Sequence, residues 1–187
     1  MIIETKRLLL RPWKETDAED CFLYAQDPEV GLPCGWPPHK NIEETREILA
    51  NVLMPAPEGY AVCLKSDGRA IGCIELMLGD KTDMSDREDE GEIGYWLGKP
   101  FWGQGIMPEA VEAILFHAFT DLHMRAVWCG YYEGNEKSKR VQEKCGFSYH
   151  HTSEGLVLTR LNEIRTGYAN LLTKEDWERL HGGKNDR

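Results

Sequence analysis

"KPFWGQGIMPE", residues 99–109, sets two glycines around one glutamine, just after an aromatic, apolar run and just before a helical pattern. A strand that ends in such a turn and opens a helix points several backbone N–H groups into one concavity. The helix dipole adds partial positive charge there, so an anion such as phosphate is favoured. Glycine lets a ligand approach the backbone, because no Cβ stands in the way. The same letters also describe a tight strand-to-helix turn that holds nothing. Two phosphate-binding patterns fail: no Gly-Lys-Ser/Thr is present, and the turn lacks the third glycine and early position of a dinucleotide fingerprint.

Around this turn the pattern alternates between strand and helix. "EIGYWLG" (92–98) reads as a strand and "PEAVEAILFHAFTDL" (108–122) as a helix with proline in its first turn. "RAVWCGYY" (125–132) is a strand, and "NEKSKRVQEKCGF" (135–147) a helix capped by Asn135 and ended at Gly146. Upstream, "RLLLRPW" (7–13) is a strand stopped by Pro12. Thr16 with Glu19 predicts a capping box for a helix to about Gln26, residues 31–38 read as loop, and Asn41 with Glu44 caps a helix ended by Pro55. Two strands follow from residue 59, joined by a turn at "SDG" (66–68). The acidic stretch 79–92 reads as a solvated loop, or as a flap that concentrates cationic substrate. "GLVLTRL" and "IRTGYANLL" predict a hairpin, "TKEDWERL" a short helix, and residues 181–187 a frayed tail. The order β-α-α-β-β-β-α-β-α-β-β predicts a mixed, sheet-centred α/β fold.

The 187 residues suit one domain, and 41% apolar content suits a buried core. A formal charge of −10 argues against nucleic acid or an anionic membrane as partner and sits well with a cationic one. No run approaches the roughly 18 apolar residues of a membrane span, and the N-terminus lacks the features of a signal peptide. Cysteines 21, 34, 63, 73, 129 and 145 form no Cys-x-x-Cys pair and have no His spacing suited to zinc, so reduced thiols and a cytoplasmic location are expected. His117 and His123 read as structural or exposed. The pair His150–His151 lacks a third ligand, so no metal is expected.

Three landmarks carry a resemblance: E-I-G-Y-W on a strand, W-G-x-G before an E-A helix, and N-x-x-S-x-x-V-x-E-K-x-G-F at 135–147. In order and spacing, together with "ETKRLLLRPW" and the late "EDW", they resemble the GNAT (GCN5-related) N-acetyltransferase family and its RimJ/RimL-like branch over residues 1–180. That resemblance implies a mostly antiparallel central sheet of about six or seven strands, about four or five flanking helices, and two splayed central strands. It implies acetyl-CoA as co-substrate, with its pyrophosphate on the backbone amides of Gly103, Gln104, Gly105, Ile106 and Met107. Trp102 is common in the branch, whereas Met107 departs from the family's small residue. Asn135 matches the position that bonds the pantetheine arm, beside strand residues Tyr95, Trp96 and Leu97.

The family's tyrosine general acid is replaced by Gln142, which makes Ser138 the candidate to support the departing thiolate. Glu92 aligns with a strand glutamate that acts as base, and Glu75 on the neighbouring strand is its reserve. An amine nucleophile must shed a proton before it attacks, so such a carboxylate needs burial to raise its pKa. A backbone N–H near Tyr95 or Trp96 would stabilise the tetrahedral intermediate, with Gly94 marking a bulge. The implied activity is direct acetyl transfer to a primary amine, either a protein N-terminus or a small amine, in a monomer or homodimer. A catalytically silent acyl-CoA-binding or sensor module is the alternative on the same fold.

Overall fold

A computed structural model describes residues 1–182. Eight strands form one sheet: β1 (Ile3–Glu4), β2 (Leu8–Arg11), β3 (Gly59–Leu64), β4 (Ala70–Leu78), β5 (Glu90–Leu97), β6 (Ala126–Tyr132), β7 (Ser148–Leu158) and β8 (Glu163–Thr173). Six helices accompany them: α1 (Ala18–Ala25), α2 (Pro28–Gly31), α3 (Ile42–Ile48), α4 (Ile106–Phe116), α5 (Glu136–Lys144) and α6 (Lys174–Gly182). The spatial order is β1-β2-β3-β4-β5-β6-β8-β7. Every neighbouring pair is antiparallel except β5 with β6, which run parallel and pair only over Glu90–Glu92 and Ala126–Trp128. Beyond those three residues the two strands part, and the sheet opens into a cleft.

The apolar residues explain the layers. Leu8, Leu10, Tyr60, Val62, Ile74, Leu76 and Ile93 form one sheet face and bury Ile114, Leu115 and Phe119 against it. On the other face Trp13, Ala18, Cys21, Ala25 and Leu49 pack on Ala61, Cys63 and Cys73. Burying each large side chain contributes about 1.5–3 kcal/mol, so the sheet is clamped from both sides. All six cysteines are free thiols. Among the described residues no helix is long and apolar enough to cross a membrane.

Several expectations need correction. The family-implied sheet is larger than expected, with a short β1 added at its edge and β7 starting at Ser148 rather than in the "GLVLTRL" stretch. The expected cap at Thr16 does not form: a 3₁₀ turn, Glu15–Asp17, leads into α1, and Asp17 Oδ2 accepts from the Lys14 amide at 2.8 Å to close that turn rather than to cap α1. Arg11 binds both oxygens of the same buried carboxylate at 2.7 Å. The 31–38 loop carries helical turns at Pro28–Gly31 and Leu32–Cys34. Helix α4 starts at Ile106, two residues before the expected Pro108, and loosens into a π-helical turn at His117–Asp121. Gly94 sits opposite Glu75 in regular register, so no bulge forms there. His181 and Gly182 continue α6 rather than fraying, while the rest of the predicted tail, 183–187, lies outside the described residues. The expected caps at Asn41 and Asn135 do form, through the amides of Glu44 and Ser138.

Candidate active site

In a strand each residue's N–H and C=O point to the same edge. The carbonyls of Ile93, Tyr95 and Leu97 therefore face the cleft, and each has a side-chain partner. Cys129 Sγ lies 3.1 Å from Ile93 O, Cys34 Sγ lies 3.8 Å from Tyr95 O, and Trp102 Nε1 donates to Leu97 O at 2.7 Å. Burial pushes the Cys34 thiol up to about 11 and the Cys129 thiol well above its ordinary value, so both stay protonated and can donate. With the carbonyls occupied, the N–H groups of Tyr95 and Leu97 remain on the cleft edge for a guest. The alternation selects Tyr95 over Trp96 as the amide that faces the cleft.

Two cavities meet at this edge. The smaller, about 410 Å³, is bounded by Tyr95, Trp96, Leu97, Trp102, Gly103, Gly105, Ile106, Met107, Asn135 and Ser138. Gln104 is absent from this wall: its side-chain amide donates to Pro100 O at 2.8 Å and its carbonyl accepts from Arg7 at 2.9 Å. Gly103 and Gly105 hold φ of 74° and 71°, a region that a Cβ disfavours, and a Cβ on Gly103 would meet nothing within 4 Å. Gly105 is the N-cap of α4, whose first amides have no partners within the helix. This cradle fits a phosphate-bearing ligand. Arg7 and Thr5 brace it from β1–β2: both bind the Glu109 carboxylate, at 2.6 Å each. Lys137, Arg140 and Lys144 from α5 line the same cavity, and Lys137 Nζ sits 3.8 Å above the Trp102 ring.

The larger cavity, about 780 Å³, shares Tyr95, Trp96, Asn135 and Ser138 with the smaller one and extends past Glu92 and Glu75. Glu92 is the third residue of β5, and its Oε2 accepts from Thr82 Oγ1 at 2.8 Å. Desolvation pushes its carboxyl up to about 7, assisted by the Asp83 and Glu75 charges and opposed by the Thr82 bond. Glu75 is raised in the same direction by burial, with Lys81 opposing. Asp83, Glu44 and Glu47 add further negative charge to the wall, and Trp36, Tyr131 and Tyr132 add aromatic surface. Two acids of the 79–91 stretch are engaged locally: Arg87 pairs with Asp89, and buried Glu90 accepts from Trp128 Nε1 and Ser85. Asp83 and Met84 are the loop residues that reach the cavity.

Ser138, half-buried one turn into α5, has its Oγ 3.0 Å from the Tyr95 phenol and 3.1 Å from Gln142 Nε2. Asn135 is occupied twice: Oδ1 accepts from the Ser138 amide at 3.2 Å and Nδ2 donates to Pro33 O at 3.2 Å. His117 is buried near Asp121 and Glu58, on α4's far end. His150 and His151 face each other with their Nδ1 atoms 2.9 Å apart. No group of three or more metal-ligating side chains occurs among the described residues. Thr82, Cys34 and the Arg7–Glu109 strut carry no pattern in the sequence that marks them, although "ETKRLLL" does fall within the resemblance.

Residues 7–148 match the family model for the acetyltransferase (GNAT) domain. The chain belongs to the GNAT family. Its relatives place it with the RimJ/RimL-like kind of GNAT N-acetyltransferase. It is 32% identical over 121 residues to a putative ribosomal N-acetyltransferase, YdaF, of Bacillus subtilis, covering 64% of this chain and 62% of that one. It is 27% identical over 158 residues to an uncharacterized N-acetyltransferase, p20, of Bacillus licheniformis, covering 82% and 83%. A ribosomal-protein-serine acetyltransferase of Escherichia coli is 29% identical over 116 residues, 60% of this chain and 62% of that protein. A GNAT acetyltransferase structure from Bacillus anthracis superposes with a TM-score of 0.81 at 23% identity, over 94% of this chain and 99% of that one, which shows the shared fold.

Proposed function

We propose that this GNAT protein transfers the acetyl group of acetyl-CoA directly to a primary amine, protein N-terminus or small molecule, within one ternary complex. The observation that carries this reading is the shared wall of the two cavities: a phosphate-fitting cradle and an acid-lined chamber meet at Tyr95, Trp96, Asn135 and Ser138. Acetyl-CoA would supply the acyl group. The glycine turn and the first amides of α4 would hold its diphosphate, beside Lys137, Arg140 and Lys144, while the Leu97 N–H group meets its extended arm. Asn135 would exchange its bond to Pro33 O for one to that arm. Glu92, with its raised pKa, removes the ammonium proton near neutral pH, directly or through water. The Tyr95 N–H is aimed to stabilise the oxyanion, and holding both reactants together removes the need for a covalent enzyme intermediate.

The domain of this activity extends over residues 1–180, in a monomer or homodimer of the cytoplasm, with a cationic amine as the favoured acceptor and neither nucleic acid nor membrane as partner. Thiol release from acetyl-CoA, measured across a broad amine panel, tests the reading together with the acetyl-CoA-induced rise in Tm. Both signals are expected. A thermal shift with no turnover on any amine would instead favour a silent acyl-CoA-binding module. Absence of both would end the proposal.

A further inference from the structure

Gln142 is fully buried, and its orientation is fixed by its neighbours. Its Oε1 accepts from Asn170 Nδ2 at 2.8 Å, so its Nε2 faces the other way and donates to Gly130 O at 3.0 Å and to Ser138 Oγ at 3.1 Å. On the opposite side of the same hydroxyl stands the Tyr95 phenol, 3.0 Å from Ser138 Oγ and 3.2 Å from Ser138 O. A serine hydroxyl offers two acceptor sites and one proton.

We propose that Tyr95 is a positioning residue for Ser138: the phenol gives its one proton to Oγ, the shorter of its two contacts, so that phenol and amide fill both acceptor sites of the hydroxyl and leave its proton directed into the junction of the two cavities as a hydrogen-bond donor to a departing thiolate. The assignment rests on the acetyl-transfer reading above and adds a specific claim, that the position lacking the family's acidic tyrosine is served by an oriented donor rather than by another acid.

The energetics support a donor over an acid. The titratable groups facing the phenol are the Cys129 and Cys145 thiols from β6 and the end of α5, with no cation among them, and burial holds the phenol well above its ordinary value. A thiol titrates near 8.5, so a phenol above 10 does not surrender its proton to a thiolate. When the acetyl carbon–nitrogen bond has formed and the carbon–sulfur bond breaks, the electron pair moves onto sulfur. The ammonium gives up two protons, one before attack and one from nitrogen after it. Both leave to water through Glu92, which releases the first before it takes the second, and the sulfur departs as thiolate with the O–H bonds of Ser138 and Tyr95 intact. A hydrogen bond to a charged partner contributes about 1.5–3 kcal/mol, equivalent to about 10- to 150-fold in rate.

The test is a cycle of Tyr95→Phe, Ser138→Ala and the double variant, with kcat and the KM for acetyl-CoA measured for each. The acetyl-CoA-induced rise in Tm serves as the check on folding and binding. Ser138→Ala is expected to lower kcat about 10- to 150-fold and Tyr95→Phe about tenfold, with the KM and the thermal shift preserved. The double variant should match Ser138→Ala alone, since the phenol has nothing left to orient. Multiplying effects, or an unchanged kcat in a folded Tyr95→Phe, overturn the proposal. An alkaline fall in kcat present in the wild type and absent from Tyr95→Phe would make the phenol a true acid and overturn the donor role. A wild type with no turnover and no thermal shift overturns the acetyl-transfer reading itself, whereas multiplying effects in an active enzyme overturn only the role of Tyr95.

Discussion

Glu92 joins two roles that compete for the same free energy. Its carboxyl is buried against an acid-lined wall, and desolvation lifts it from 4.5 to about 7. The native state therefore holds a proton that the unfolded chain has released between those two values. Stability falls as pH rises through that window and stays lower above it, by about 3 kcal/mol. Glu92→Gln should accordingly raise the Tm relative to wild type at pH 8 and leave it nearly unchanged at pH 4. The same substitution should lower kcat/KM about 100-fold or more and remove the rise in rate expected between about pH 6 and pH 8. A Gln variant with wild-type activity would move the base to Glu75 or to a water chain. The candidate residue was legible in "GEIGYWL" through the resemblance, which aligns it with a strand glutamate that acts as base. Its environment was not: Thr82 and Asp83 lie ten and nine residues upstream, and only the fold brings them to the carboxylate.

At the scale of elements, the turn before α4 is the most legible part of the molecule. Its two glycines take positive φ, and its helix starts directly behind them. What local chemistry could not reveal is the brace. Arg7 and Thr5 reach Glu109 across a hundred residues of chain, so no window of sequence contains both ends. Removing the brace should loosen the cradle without touching the junction at Ser138. Glu109→Ala is expected to raise the KM for acetyl-CoA several-fold, with kcat within about twofold of wild type, and to cost about 1–2 kcal/mol of stability. Gly105→Asp strains the left-handed position and puts a carboxylate where the anion belongs, so the acetyl-CoA thermal shift should vanish. A retained shift would place the diphosphate elsewhere. The misjudged helix starts have a related cause. The turn at Glu15–Asp17 forms around the Asp17 carboxylate, which Arg11, six residues earlier, pins in the interior while the Lys14 amide binds it from behind.

Across the whole molecule, the fold class followed from alternating periodicities, whereas the extra edge strand and the long final hairpin depended on pairing partners that periodicity does not name. Charge shows the same division. The formal −10 pointed toward cationic partners, but in the acidic loop Asp89 is paired with Arg87, and Glu90 is taken up by Ser85 and by Trp128 of β6. The asymmetry that matters lies between the cavities: Lys137, Arg140 and Lys144 outnumber Glu29 and Glu136 in the smaller, while Glu44, Glu47, Glu75, Asp83 and Glu92 face the single arginine, Arg160, in the larger. A net acidic protein has thus placed cations where a polyanionic donor would lie and carboxylates where the acceptor amine would enter. Attraction between such partly exposed charges is screened over about 10 Å at 0.1 M salt and over about 3 Å at 1 M. Under the proposed activity, the KM for a cationic amine should therefore climb as salt rises, while the KM for an uncharged-tail amine moves little. Glu75→Gln, which leaves the proposed base in place, should reproduce most of that rise at low salt with kcat nearly preserved. Steady-state kinetics on matched amines with cationic, neutral and anionic tails decides the matter. A preference for the anionic tail, or a cationic KM indifferent to both salt and Glu75, would show that the carboxylates of the larger cavity serve the proton and not the choice of acceptor.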